Sequence, residues 1–321
     1  MYVGVDFLID KNTNLYLSEV NIGLPGGVQE YDYVYQVKHK KPSKVFQYIE
    51  NLCQRKFKMS FSDYLKALPY FNDLRSLKIW IDGYGNLPKN FPPILRLEDK
   101  WVQYLILSPY YPIITTKLLD NKLIIDSFLF KSYSEFAIKK RLGRGGRGFI
   151  KVSNYDDLRN YNELKNYNNI YNGFYIIQPY IDSSVNINGR IFRFSIRALA
   201  FLGKFICMYA NLSNKLVSNH GILFYVNVGS NSTNIGISKS DFKTVKFHQK
   251  AWEADLFYEE SIPEYLYHNL YEDEVAEADF IVPKKIIDKI KEISASVSNY
   301  YQKLDYNKLP KSFIETNLLK K

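Results

Sequence analysis

Val5-Asp6-Phe7-Leu8-Ile9, followed by Tyr16-Leu17-Ser18-Glu19-Val20-Asn21-Ile22-Gly23-Leu24-Pro25-Gly26, is the stretch on which the fold of this chain turns. Residues 2–9 alternate and then run apolar, Asp10-Lys11-Asn12-Thr13-Asn14 supplies turn formers, and residues 15–21 form a second strand. That pattern predicts a β-hairpin, ended by the loop at residues 23–27. Glu19 and Asn21 stand two apart on one strand, so their side chains share a face. Asp6 lies on the partner strand roughly opposite them. Three hard oxygen ligands on one face suit Mg²⁺, with phosphates and water completing an octahedron. A solvated outer face carrying the same residues is the ordinary alternative.

The second chemical signal is Ala137-Ile138-Lys139-Lys140-Arg141-Leu142-Gly143-Arg144-Gly145-Gly146-Arg147-Gly148-Phe149, set between expected strands at 134–139 and 149–152. Glycine lets backbone N–H groups approach an anion closely and form a concave nest for phosphate. Lys139, at the end of the first strand, can point its ammonium at the same phosphates. The segment lacks the Gly-Lys-Ser/Thr ending of a Walker loop and the helix that follows a Rossmann fingerprint. A hairpin flap over a nucleotide fits best. A purely structural hairpin and an RGG-type nucleic-acid tract compete, although such tracts are long and disordered.

The rest of the chain reads coarsely. Ser43 caps a helix with the stripe Val45, Phe46, Ile49, Leu52 and Cys53. Leu77-Lys78-Ile79-Trp80-Ile81 alternates as a strand, residues 85–93 read as a Pro-rich linker, and residues 31–90 as a small α/β unit. Helices are expected at 100–107 and 116–119 and after Asp156-Asp157. Strands are expected at 174–178, 192–201 and 205–210, the last two joined across Gly203-Lys204. The acidic stretch 253–279 reads as a solvated face. Ile286, Ile287, Ile290, Ile293, Val297, Tyr300, Tyr301 and Leu304 recur at helical spacing and mark the clearest amphipathic helix.

With 321 residues, 46% hydrophobic and 24% charged, the chain has the size and composition of a globular enzyme. No apolar run reaches the roughly 18 residues that span a bilayer, and the first residues lack the pattern of a signal peptide. The two cysteines, Cys53 and Cys207, sit in apolar contexts as buried thiols, and the four histidines show no metal-ligand spacing. A cytoplasmic location, with no membrane, is the expectation. A net charge of +10 suggests an anionic ligand; nucleotide phosphates, nucleic acid and anionic lipid all satisfy it.

Taken together, these motifs resemble the ATP-grasp family. Its closing motif is an Asp-Phe strand, a Glu-x-Asn strand and a Pro-Gly loop, and there the Asp, Glu and Asn hold two Mg²⁺ ions. The resemblance implies that Asp6, Glu19 and Asn21 are metal ligands and that ATP and Mg²⁺ are the cofactors. Lys139 with Gly143, Gly145, Gly146 and Gly148 is similar to the family's lysine and glycine-rich flap. Leu97-Glu98-Asp99-Lys100 resembles the opening of the small subdomain, with Lys100 as a nucleotide-binding lysine. Ile176-Ile177-Gln178-Pro179-Tyr180-Ile181 is similar to the hinge strand that bonds adenine, which implicates Gln178, Tyr180 and Ile181. Arg193-Phe194-Ser195-Ile196-Arg197 resembles the strand whose arginine contacts the transferred phosphate. Arg193 and Arg197 are therefore the catalytic candidates, although Ser195 stands where an Asp is common.

The family order puts the metal hairpin last, after an amphipathic helix. Here the hairpin comes first and the helix sits near the other end, so the resemblance is to circularly permuted members, such as glutathionylspermidine synthetase-like ligases. The implied fold is α+β: two subdomains gripping a nucleotide, plus a small pre-ATP-grasp unit. The implied division is 1–30 as the metal hairpin, 31–95 as the substrate-side unit, 96–177 as the small subdomain and 178–321 as the rest of the large one. The implied activity is an ATP-dependent ligase joining a small-molecule or peptide carboxylate to an amine or thiol through an acyl phosphate. A small-molecule kinase on the same fold, or a non-catalytic nucleotide- or nucleic-acid-binding relative, is the alternative.

Overall fold

The hairpin forms as its residues dictate. β1 (Tyr2–Ile9) and β2 (Leu15–Ile22) pair antiparallel. Asp10 ties the turn by accepting, at 2.9 Å each, from the backbone N–H groups of Asn12 and Asn14 and from the Asn14 side chain. The structure is a computed structural model, and it describes residues 1–22, 25–68, 93–143, 149–159, 173–213, 221–230, 234–238, 242–248 and 272–312. Gly145, Gly146, Gly148, the expected strand at 77–81 and the acids from Glu253 to Glu264 lie outside the described residues.

Beyond the hairpin come α1 (Val28–His39), α2 (Val45–Phe57) and α3 (Phe61–Lys66), then a 3-10 turn (Pro93–Glu98) leading into α4 (Lys100–Leu107). A small unit follows: β3 (Lys117–Leu119), α5 (Lys122–Lys131), β4 (Phe136–Lys140), β5 (Ile150–Val152), α6 (Tyr155–Arg159) and β6 (Tyr175–Pro179). The remaining elements are β7 (Ser184–Ile187), β8 (Arg190–Phe201), β9 (Lys204–Ser213), β10 (Ile222–Gly229), β11 (Gly236–Ile237), β12 (Thr244–His248), β13 (Glu272–Pro283) and α7 (Lys284–Lys303). The architecture is α+β.

Two sheets organise it. The large one runs β11-β13-β10-β9-β8-β1-β2, with β12 beside β13 and β7 beside β8. Its pairings are antiparallel except β10 with β13. The small one runs β3-β6-β4-β5 and is antiparallel throughout. On one face of the large sheet, Val3, Val5, Phe7, Ile196, Ala198 and Phe280 pack against Ile286, Ile287, Ile290, Val297 and Tyr301 of α7. Each of those α7 side chains contributes on the order of 1.5–3 kcal/mol by leaving water. α7 also holds the first residue, since Ser298 Oγ donates to the Met1 carbonyl at 2.6 Å and the Met1 ammonium donates to Gln302 Oε1 at 3.3 Å.

The opposite face is divided, and β8 shows why. Its residues on that face read Arg193, Ser195, Arg197, then Leu199 and Phe201. The apolar end packs with Tyr2, Val28, Val45, Ile49, Cys53, Phe61 and Leu65 under α1, α2 and α3. Of the polar end, Arg193 and Ser195 line a cleft beneath the small sheet. That sheet turns Phe136, Ile138, Ile150 and Ile177 toward Ile125 and Phe128 of α5, and presents Ala137 and Lys139 to the cleft.

Two elements depart from the sequence reading. Residues 117–119 are a strand on the edge of the small sheet, not a helix; the helix lies at Lys122–Lys131, capped by Asn121 Oδ1 accepting from Leu123 N–H at 2.8 Å. Part of the acidic stretch is β13, with Val275, Ala276, Ala278, Asp279 and Phe280 buried. Its apolar positions decide its place, and its acids are not simply a solvated face. Among the described residues no helix is long and apolar enough to cross a membrane.

Candidate nucleotide and metal site

Strand register assembles the centre of the site. Asp6 stands opposite Glu19 on β2 and opposite Arg197 on β8, and Arg197 stands opposite Tyr209 on β9. Directly opposed residues share a face at about 5 Å spacing, so these side chains form one row across the sheet. A bulge follows Asp6, whose neighbour Phe7 pairs with Leu17, so Ser18 is the extra residue on β2. Asn21 joins the row diagonally, its amide donating to Asp6 Oδ2 at 3.2 Å and to Glu19 Oε1 at 3.4 Å. The three metal-ligand candidates of the hairpin are thus in mutual contact.

Residues from distant parts of the chain close on this row. Arg197 grips Asp6 with both arms, Nε and Nη2 each at 2.7 Å from a carboxylate oxygen, and donates from Nη1 to the Pro25 carbonyl at 3.0 Å. The loop bearing Pro25 can lie this close because Gly4 and Gly27 have no side chains. A Cβ on Gly4 would meet Pro25 Cβ at 2.6 Å, and one on Gly27, at φ +110, would meet the Tyr209 ring at 2.9 Å. Lys100 Nζ lies 3.2 Å from Glu19 Oε2 and donates to the Gly143 carbonyl at 2.5 Å.

Asp99 and Arg141, quoted in the sequence motifs without a role, are the reason Lys100 sits there. Asp99 caps α4 by accepting from Trp101 N–H at 2.9 Å and accepts from Arg141 Nε at 3.0 Å and Nη2 at 2.5 Å, in a pair almost wholly out of water. α4 and the 3-10 turn before it are also stitched to the outer edge of β2. Gln103 bonds both the N–H and the carbonyl of Val20, at 3.0 and 2.7 Å, and Glu98 accepts from Ile22 N–H at 2.8 Å. Side chains thereby satisfy backbone groups that no strand covers.

Electrostatics follow from this crowding. Burial works to raise Glu19, but Lys100, Lys139 and Arg197 outweigh it and hold the carboxyl down to about 2. Burial, reinforced by the charge of Lys100, lowers Lys139 to about 8 against the pull of Glu19 and Asp6. Burial raises Asp6 even though Arg197 pulls the other way, and Arg197 stays charged. Three cations therefore face two carboxylates, an excess that an anionic ligand would neutralise.

The cleft beside them measures about 250 Å³. Glu19, Lys100, Lys139, Gly143, Tyr180, Ile181 and Arg193 all line it. The Tyr180 ring has two cations near it, Lys151 Nζ at 4.3 Å and Arg193 Cζ at 5.8 Å from its centroid, and Arg193 also pairs with Asp182. Gln178 is buried, with its amide on Thr116 Oγ1 at 2.8 Å and its Oε1 lacking a partner among the described residues. Asp6, Asn21, Arg197 and Gln178 stand behind the lining rather than in it.

Sequence reasoning missed Leu8, Ser18, Phe149 and Asn211, which also line the cleft. Leu8 shares the parity of Asp6 and could have been found that way, whereas Ser18 has the wrong parity for Glu19 and reaches the cleft through the bulge, which no local pattern marks. Nothing local pointed to Asn211, which shares the floor with Ser195 because the two are cross-strand partners.

The donor set fits a divalent cation held together with an anion. Glu19 is charged and a quarter exposed, Asn21 adds an amide oxygen, and the surrounding cations would meet the anion's other oxygens. Among the described residues no cluster of three His, Cys, Asp or Glu gathers, so a cation here would need oxygens from its ligand as well. No protein-family model and no curated protein matches this chain.

Proposed function

We propose that the chain is a Mg²⁺-dependent, ATP-consuming ligase of the ATP-grasp type, joining a carboxylate to an amine or thiol. The observation that carries this reading is the convergence of Asp6, Glu19, Asn21 and Arg197 with Lys100 and Lys139 beside one cleft. A small antiparallel sheet backed by a helix, set over the polar half of a larger sheet, supports the two-subdomain grip. The seat of β1 beside α7 supports the permuted order, helix then Asp-Phe strand.

Mg·ATP bound in the cleft would supply a phosphoryl group that turns a substrate carboxylate into an acyl phosphate, from which an amine or thiol displaces phosphate. Glu19 and Asn21, with Asp6 behind them, would hold the metal. Lys100 and Lys139 would bind phosphate oxygens, Lys100 exchanging its contacts with Glu19 and the Gly143 carbonyl for a stronger anionic partner. Arg197 has five N–H donors and spends three on Asp6 and Pro25. The other two remain to stabilise charge on the transferring group. Tyr180 and Ile181 would border the base, and Gln178 would brace that hinge through Thr116. Gly145, Gly146 and Gly148 carry the flap role by resemblance alone.

The test is Mg²⁺-dependent ADP release from the purified chain, screened over pairs of carboxylates with amines or thiols. Release that requires both partners supports a ligase. Release that needs one acceptor alone favours a kinase. No release with any pair, together with no calorimetric binding of Mg·ATP, would sink the reading.

A further inference from the structure

The family resemblance implies two metal ions. We infer instead that this centre takes one divalent cation, on Glu19 and Asn21, and that Arg197 occupies the place of a second by capping Asp6. This rests on the nucleotide reading above.

The grip of Arg197 on Asp6 is built into the backbone. The two residues are direct partners across β1 and β8, so their side chains leave the sheet on the same face. Both Asp6 oxygens are engaged, Oδ1 by Nε and Oδ2 by Nη2, each at 2.7 Å. That is the fork geometry in which arginine binds carboxylate best. A third bond, from Nη1 to the Pro25 carbonyl at 3.0 Å, fixes the guanidinium from behind. The Gly27 backbone closes over it: a Cβ there would lie 3.4 Å from Arg197 Cδ. Releasing Asp6 to a metal would break two charged hydrogen bonds and leave a guanidinium tethered among Lys100 and Lys139.

Charge points the same way. With Asp6 clasped by Arg197, Glu19 is the remaining carboxylate of the row, held by Lys100 at 3.2 Å and by the Asn21 amide at 3.4 Å rather than by a two-armed guanidinium. One Mg²⁺ needs one or two carboxylates plus phosphate oxygens and water, which Glu19, Asn21 and a nucleotide supply. A second dication would have to share Glu19, because both oxygens of Asp6 are already held by Arg197. Ser195, next along the same face of β8, offers a hydroxyl and no compensating charge. Arg197 performs the neutralising part of the second ion's work without being dissociable.

Mn²⁺ serves as the probe, because its free form has an electron paramagnetic resonance signal that bound ion removes. The chain is titrated with Mn²⁺ in the presence of a non-hydrolysable ATP analogue. One bound Mn²⁺ per chain is expected. Two per chain would overturn the inference while leaving nucleotide binding intact, and none would overturn the nucleotide reading as well. R197M, checked for folding by circular dichroism, frees Asp6 and is expected to bind a second Mn²⁺. A folded R197M that still binds one would overturn the assignment to Arg197. Should R197M fail to fold, R197K keeps the charge but cannot span both oxygens. It is expected to admit a second, weaker Mn²⁺, and a folded R197K that binds one with unchanged affinity counts against the inference.

Discussion

Lys100 Nζ lies 3.2 Å from Glu19 Oε2, joining the first turn of α4 to the β1–β2 hairpin in the lining of the cleft. The pair is largely shielded from water, with Lys100 at 10% and Glu19 at 24% side-chain exposure, so much of its attraction is offset by the cost of desolvating both charges. Its importance is positional. It keeps a cation and a carboxylate poised where a Mg-phosphate ligand would separate them.

Glu19→Gln should therefore abolish Mg²⁺-dependent ADP release, by about 100-fold or more, while leaving the thermal midpoint within a few degrees. The amide keeps the shape and the bond to Asn21 but removes the charge a dication needs. Wild-type turnover in this variant would remove Glu19 from the metal centre.

Lys100→Met keeps much of the buried stem and deletes the ammonium. Loss of a charge-assisted contact costs about 1.5–3 kcal/mol, so calorimetry should show nucleotide affinity weakened roughly 10- to 100-fold. Glu19, relieved of its strongest favourable partner, should titrate higher than about 2. An unchanged affinity would place the phosphates elsewhere.

Lys139 gives the pH dependence. Burial lowers its pKa to about 8 in the free protein, and a bound phosphate favours the charged form and raises it again. Below pH 8 the lysine is already charged and affinity is flat with respect to this group. Above pH 8 the free protein loses the proton, binding must take one up, and affinity should fall by up to about tenfold per pH unit. Calorimetry in buffers of different ionisation enthalpy should detect that uptake, and Lys139→Gln should remove it. Equal proton uptake in the variant would assign the effect to another group.

Asp99→Ala strips the partner from Arg141, which is 1% exposed. Leaving a buried guanidinium uncompensated costs about 3–5 kcal/mol, measurable as a lower urea midpoint. Replacing both residues with apolar ones, Asp99→Leu with Arg141→Met, should recover part of that loss. A double variant as unstable as the single one would show that the pair's geometry, not its desolvation, dominates.

Much of the centre was legible because it depends on local periods. Alternation put Glu19 and Asn21 on one face, turn residues closed the hairpin, and together they brought Asp6 opposite. The stripe at Ile286, Ile287, Ile290 and Val297 gave α7 its buried side in the same way. Residues 117–119 were misread as a helix because three residues carry too little period to separate helix from strand. The strand β13 hid behind its acids, although Phe280-Ile281-Val282 ahead of Pro283 was a usable signal.

The sequence by itself determined the hairpin, its polar face, the helices with clear stripes and the chemical types gathered near residues 100, 139 and 197. Only the tertiary structure decided that Arg197 would clasp Asp6, that Asp99 would anchor Arg141, that Gln103 would cover the edge of β2, and that Asn211 would join the floor of the cleft. The physical reason is range. Side-chain direction along one strand or helix is set by dihedrals that repeat within a few residues. Which strands lie side by side depends on the path of the whole chain and on how its apolar faces are covered, and no local repeat records it.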